Sequence, residues 1–121
     1  MSMMSLEVIV DVSGTLFPVK VYHTPADNRG WTAGRIETLS GVDHYESYIY
    51  EFEAKVYDLP SKNGIDGGCI SKLFVTDMRT DAEVIGYDRG WYLEPHCPQE
   101  YAALNALLTI FDTPQEWEVL D

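Results

Sequence analysis

The sequence predicts an α+β domain: a mostly antiparallel sheet of about five to six strands with a C-terminal helix packed on one face. Three observations predict it. Apolar and polar residues alternate with period two through much of residues 5–92, and period two is the mark of a half-buried strand. Gly, Pro, Asn and Asp punctuate the runs as turn formers do. Beyond residue 97 the apolar spacing changes to that of a helix. Strands first and helix last is the order of an α+β fold.

Residues 5–11 read as the first strand, Ser13-Gly14 as a tight turn, and Thr15–His23 as the hairpin partner. Pro18 removes a ladder donor, so this second strand is expected at an edge or bulged. Thr24–Gly30 reads as a loop, and Trp31–Leu39 as a third strand closed by Ser40-Gly41. Tyr45–Asp58 carries the longest strand signal. Tyr48, Tyr50, Phe52, Ala54 and Val56 fall on one face; Tyr45, Ser47, Ile49, Glu51, Glu53 and Lys55 fall on the other. Leu59–Gly68, rich in glycine, reads as a mobile connection. Cys69–Thr76 and Ala82–Tyr87 are the next two strands, joined through Asp77–Asp81.

Pro98 suits the first turn of a helix, where a missing N–H is tolerated, and Glu100 suits the positive end of its dipole. Tyr101, Leu104, Leu107, Leu108 and Phe111 form the expected apolar stripe. Thr113-Pro114-Gln115-Glu116 matches a capping box, which predicts a short second helix returning Trp117 and Leu120 to the core. One domain over residues 1–121 follows, β-rich over 5–92 and helical over 98–120.

The chain has 121 residues, 45% of them apolar, enough to bury a core without staples. Two cysteines in unrelated contexts, Cys69 and Cys97, are too few for a disulfide framework and suggest free thiols in the cytoplasm. No basic flank precedes the N-terminal apolar stretch, which Asp11 interrupts, so a secretory signal is not expected; nor is a membrane span. Twenty acids against eight Lys and Arg give a net charge of −12. Such a field repels nucleic acid and anionic membranes and attracts basic surfaces. The plainer account is an acidic protein that stays in solution.

Four stretches invite a site. Asp88-Arg89-Gly90-Trp91 has the residue types of a turn with a packed indole at its exit; Arg89 and Trp91 are also the types found at interface hot spots. Gly64–Lys72 has glycines, a serine and a lysine, but not in the order of a phosphate-binding loop, and a strand follows rather than a helix. His23, His44 and His96 are scattered, His96-Cys97 lacks a further ligand at metal spacing, and no cofactor motif is present. A thiol nucleophile at Cys97 or Cys69 remains as an enzyme reading. The acids Asp43, Glu46, Glu51, Glu53 and Asp58 suggest a row of negative charge along a sheet face, spaced like a phosphate backbone; the alternative is a solvated outer face.

Three segments carry a resemblance: Phe52–Asp58, Gly64-Ile65-Asp66-Gly67-Gly68-Cys69-Ile70-Ser71-Lys72-Leu73, and Tyr87-Asp88-Arg89-Gly90-Trp91. Over about residues 48–95 the chain resembles a small family of uncharacterised proteins from phages and mobile elements of Gram-positive bacteria. That resemblance assigns no catalytic residue. It implies a setting in a host cell, where small acidic phage proteins act as inhibitors of defence, anti-CRISPR proteins among them. The expectation is a non-enzymatic binding protein, a nucleic-acid mimic that docks on the basic surface of a host nucleic-acid-binding protein without touching nucleic acid itself. Glu46, Glu51, Glu53 and Asp58 would supply charge, with Arg89 and Trp91 as anchors. A homodimeric assembly module using an edge strand is the second reading.

Overall fold

In the computed structural model, residues 3–39 and 47–111 are described. They form seven strands and one long helix: β1 Met4–Val12, β2 Thr15–His23, β3 Trp31–Leu39, β4 Ser47–Val56, β5 Ile70–Asp77, β6 Ala82–Asp88, β7 Trp91–Leu93 and α1 Pro98–Phe111. All strands pair antiparallel in sequence order, a seven-stranded meander. Helix α1 packs against β1, β2, β3 and β6, so the sheet curls around it.

Local chemistry sets the turns. Ser13 and Gly14 both take positive φ (53° and 91°), as a two-residue hairpin of this twist requires, and the Gly14 N–H donates to Asp11 Oδ1 at 2.8 Å. Asp27 Oδ1 accepts from the N–H groups of Arg29 (2.8 Å) and Trp31 (3.0 Å) and so launches β3; these bonds hold its carboxyl below the usual range. Between β6 and β7, Arg89 adopts φ 58° while its N–H donates to the Ser71 carbonyl at 2.9 Å.

The inward rows are apolar: Phe17, Val19 and Val21 on β2, Tyr50, Phe52 and Ala54 on β4, Leu73 and Val75 on β5 are all buried. Gly34 sits where the β2 backbone lies close against β3. A Cβ there would fall 1.8 Å from the Tyr22 carbonyl oxygen, so only glycine fits at this point.

Four expectations need correction. The strand count is seven rather than five to six, because Trp91–Leu93 pairs with β6 instead of merely leaving the turn. Pro18 lies on an internal strand without a bulge; β3 pairs β2 only over Val19–His23, so on that side Pro18 has no ladder bond to lose. Leu59–Gly68 is not wholly detached from the body, although most of it is exposed. Ile65 within it is buried, and Tyr87 Oη donates to the Asn63 carbonyl at 2.9 Å. The buried helix face is built from Ala102, Ala103, Leu104, Ala106 and Leu107, whereas Tyr101 is exposed. Small side chains bring α1 deep into the curled sheet, and a tyrosine there would hold it off. The predicted second helix lies outside the described residues.

Candidate functional site

The register of the strands determines which side chains share the outward face, opposite the helix. Glu51 and Glu53 follow one another on β4 and both are exposed. Across the ladder, Glu51 stands between Arg35 of β3 and Thr76 of β5, and Glu53 between Ala33 and Phe74. Lys20 of β2 stands between Glu7 and Glu37. Further along, Lys55 faces Trp31 on one side and Lys72 on the other, with Asp88 beyond.

These residues shape a groove of about 800 Å³ over the middle of the sheet. Tyr22, Ala33 and Phe74 supply its apolar surface; Glu37, Glu51 and Glu53 supply three carboxylates against the single Arg35. Among the described residues neither Glu51 nor Glu53 is held in an ion pair. One end of the face has another character. Trp31 stacks on Phe74 with centroids 6.4 Å apart, and Lys55 Nζ sits 6.0 Å from the Trp31 ring and 5.5 Å from that of Tyr57. A hydrogen bond with Lys55 lowers the pKa of the Tyr57 phenol.

The predicted site residues are therefore not one file. Glu51 and Glu53 come together as expected. Asp58 lies past the end of β4, in the following loop, and cannot extend their row. Glu46 and Asp43 fall outside the described residues. Arg89 lies in the β6–β7 turn and Trp91 opens β7, both away from the groove lining. Arg89 Nε lies 3.8 Å from Asp88 Oδ1, and Lys72 Nζ lies 3.6 Å from the same oxygen, so Asp88 is already neutralised. Trp91 meets Tyr87 edge-on at 5.0 Å and keeps 37% of its surface exposed. The uniform anionic ladder is thus broken by Arg35, Lys20, Lys55 and Lys72, which the register places among the acids. Period two along β4 already put Lys55 on this face; sequence reasoning missed Arg35, Lys20, Lys72 and the apolar groove residues, because cross-strand neighbours follow from turn lengths rather than from any local pattern.

The glycine-rich segment does not present a free anion nest. The N–H groups of Gly64, Gly67 and Gly68 donate to the carbonyls of Ser61, Gly64 and Ile65. Cys69 is buried. Burial pushes the Cys97 thiol up; the Glu100 carboxylate adds to the rise while the backbone N–H groups of Glu100 and Gln99 oppose it, and the net shift opposes thiolate formation. His96 and Glu100 form a helix-start contact instead: the His96 N–H donates to Glu100 Oε1 at 2.7 Å. His23 is a buried core histidine whose ring meets Phe111 edge-on at 4.9 Å. No group of three or more His, Cys, Asp and Glu side chains among the described residues is placed to hold a metal ion. No helix among them is long and apolar enough to cross a membrane.

A family model described as a domain of unknown function (DUF7678) matches residues 30–112, from the start of β3 to the end of α1. The β1–β2 hairpin lies outside that match. No curated protein and no solved structure matches the chain.

Proposed function

The chain belongs to the DUF7678 family, and we propose that it is a non-enzymatic binding protein whose outward sheet face docks on a basic element of a nucleic-acid-handling protein. The inhibitory, anti-CRISPR-like role suggested by the resemblance over residues 48–95 is the biological form of this proposal. One observation carries it: Glu51 and Glu53, exposed and without an ion pair among the described residues, stand with Glu37 around an apolar-walled groove of about 800 Å³. A lysine or arginine entering there meets carboxylates at its head and Tyr22 or Phe74 along its stem, the arrangement that suits a long cationic side chain. The net charge of −12 steers a basic partner toward the molecule. Arg35 favours a discrete cation over a continuous basic groove, since it interrupts the negative surface beside Glu51.

The test is the triple variant Glu37→Gln, Glu51→Gln, Glu53→Gln. The partner is recovered by pull-down from a host lysate, identified, and its affinity measured from about 50 to about 300 mM salt, where the Debye length shortens most usefully. The variant is expected to bind less tightly and with a flatter salt dependence, because exposed charges act mainly on encounter and on screening. An affinity and salt slope equal to those of the unaltered chain would remove the acidic face from the interface.

A further inference from the structure

The two edges of the sheet are treated very differently. β7 is three residues long and its pairing with β6 slips between Gly86 and Tyr87, so little backbone is offered on that side. Short, irregular edges are the usual protection against unwanted pairing. β1 is nine residues long, pairs with β2 from Met4 to Val12 without a bulge, and contains neither proline nor lysine. Its second edge has no strand beside it among the described residues.

β1 is also unfinished in its side chains. Leu6, Val8, Val10 and Val12 point to the helix side. Val10 is buried and Val8 and Val12 are half-buried, but Leu6 is 44% exposed. On the outward side stand Ser5, Glu7, Ile9 and Asp11, with Ile9 68% exposed. A further cavity of about 270 Å³ lies against this half of the strand, lined by Ser5, Leu6, Glu7, Lys20 and Tyr22.

We propose that the free edge of β1 takes up an extended peptide segment of a partner whose residues alternate between apolar and basic. Main-chain hydrogen bonds to the vacant side of β1 would give affinity, and the period-two alternation would give specificity. Apolar guest residues would complete the row of Leu6, Val8 and Val10. Basic ones would lie beside Glu7 and Asp11. Charge favours this occupant over a second copy of the chain: two bodies of −12 repel each other. Pairing β1 with itself about Glu7 or Ile9 would also set acid opposite acid. The cavity beside the edge adjoins the groove holding Glu51 and Glu53 through Tyr22, but the backbone edge of β1 itself is not part of the groove lining, so the two readings are tested separately.

The experiment titrates the full chain against a short labelled peptide alternating valine and lysine, read by fluorescence anisotropy. Parallel titrations use a valine–glutamate peptide and the valine–lysine peptide N-methylated at alternate residues, which removes donors from one edge. Binding of the first peptide, weakened about tenfold or more in each control, is the expected result. Glu7→Lys should weaken it severalfold, and by more than Glu51→Gln with Glu53→Gln does. Equal binding of the methylated peptide would overturn strand addition. Sensitivity to the β4 glutamates but not to Glu7 would move the peptide to the groove and overturn the edge assignment. Absence of peptide binding, with a doubled mass by light scattering, would give the edge to a second copy and equally overturn it. Amide exchange of β1 residues, slowed by the bound peptide, checks the site without any substitution that might disturb folding.

Discussion

Adding one methyl group at Gly34 should destabilise the protein far more than adding one at Gly86, although both glycines sit within strands and both are crowded. At Gly34 the new carbon would fall 1.8 Å from the Tyr22 carbonyl oxygen and 2.7 Å from the His23 Cα. Both obstacles are backbone. A relaxed carbon contact is about 3.5 Å, so β2 and β3 must separate by about 1.5 Å. Overpacking of this kind costs about 1–3 kcal/mol, and each weakened ladder bond about 1 kcal/mol more. About 3 kcal/mol is a fair sum after the small gain from restricting the unfolded chain. Unfolding entropy for a chain of this length is about 0.25 kcal/mol per kelvin, so Gly34→Ala should lower Tm by about 12 °C. At Gly86 the obstacle is the Tyr92 ring, with Cζ at 2.3 Å. Tyr92 is 57% exposed and held by one hydrogen bond, from its Oη to Glu83 Oε2 at 3.0 Å, so the ring can swing aside. Gly86→Ala should lower Tm by about 4 °C or less, equivalent to about 1 kcal/mol. Thermal melts followed by circular dichroism, with urea titrations to confirm an unchanged m-value, make the comparison. Equal drops for the two variants, or a drop below about 4 °C for Gly34→Ala, would refute the close approach of β2 and β3.

Two further outcomes follow from titratable groups. Burial, then the neighbouring Cys97, Asp77 and Glu100, push the Tyr50 phenol far above its ordinary value. The folded state therefore favours the neutral phenol, so stability is intact below about pH 10 and falls by up to about 1.4 kcal/mol per pH unit above it. Tyr50→Phe should lose that slope in urea titrations between about pH 10 and pH 11.5, and an unchanged slope would refute the burial argument. Because burial raises the Cys97 thiol, its alkylation by iodoacetamide should show a pH midpoint above that of an ordinary cysteine; Cys69, 2% exposed, should react only on unfolding. A Cys97 midpoint below the ordinary thiol value would reverse the case and revive a nucleophilic role.

Much of the sheet was legible because its strands alternate cleanly. Tyr50, Phe52 and Ala54 fall inward and Glu51 and Glu53 outward, as period two requires. β7 was not legible, since three residues hold too little pattern to separate a strand from an aromatic exit to a turn. The helix was legible in place and in most of its buried stripe: Leu104 and Leu107 are buried and Leu108 and Phe111 pack on the core, while Tyr101 is exposed. Large rings draw the eye to Tyr101, whereas the tight curl of the sheet selects Ala102, Ala103 and Ala106 for contact. The site was half legible. Which acids share a face can be read along one strand, but whether a cation stands opposite depends on pairing register. That is why Arg35 beside Glu51, and Lys72 beside both Lys55 and Asp88, came only with the structure.

This interleaving changes what a salt titration measures. All eight Lys and Arg lie among the described residues, whereas six of the twenty acids lie in residues 40–46 and 112–121. Described acids such as Asp66, Asp81 and Glu94 also lie off the groove, so a steep salt slope for the whole chain would not locate the contact. The informative quantity is a difference between variants of equal charge. Glu37→Gln with Glu51→Gln and Glu53→Gln should flatten the slope. Asp66→Asn with Asp81→Asn and Glu94→Gln, which removes the same charge from exposed positions off the groove, should nearly preserve it. Asp66 and Asp81 hold φ values of 53° and 60°, a conformation that asparagine tolerates, so the second variant should fold normally. If both triples flatten the slope alike, long-range steering accounts for the salt effect and the groove has no special part in it.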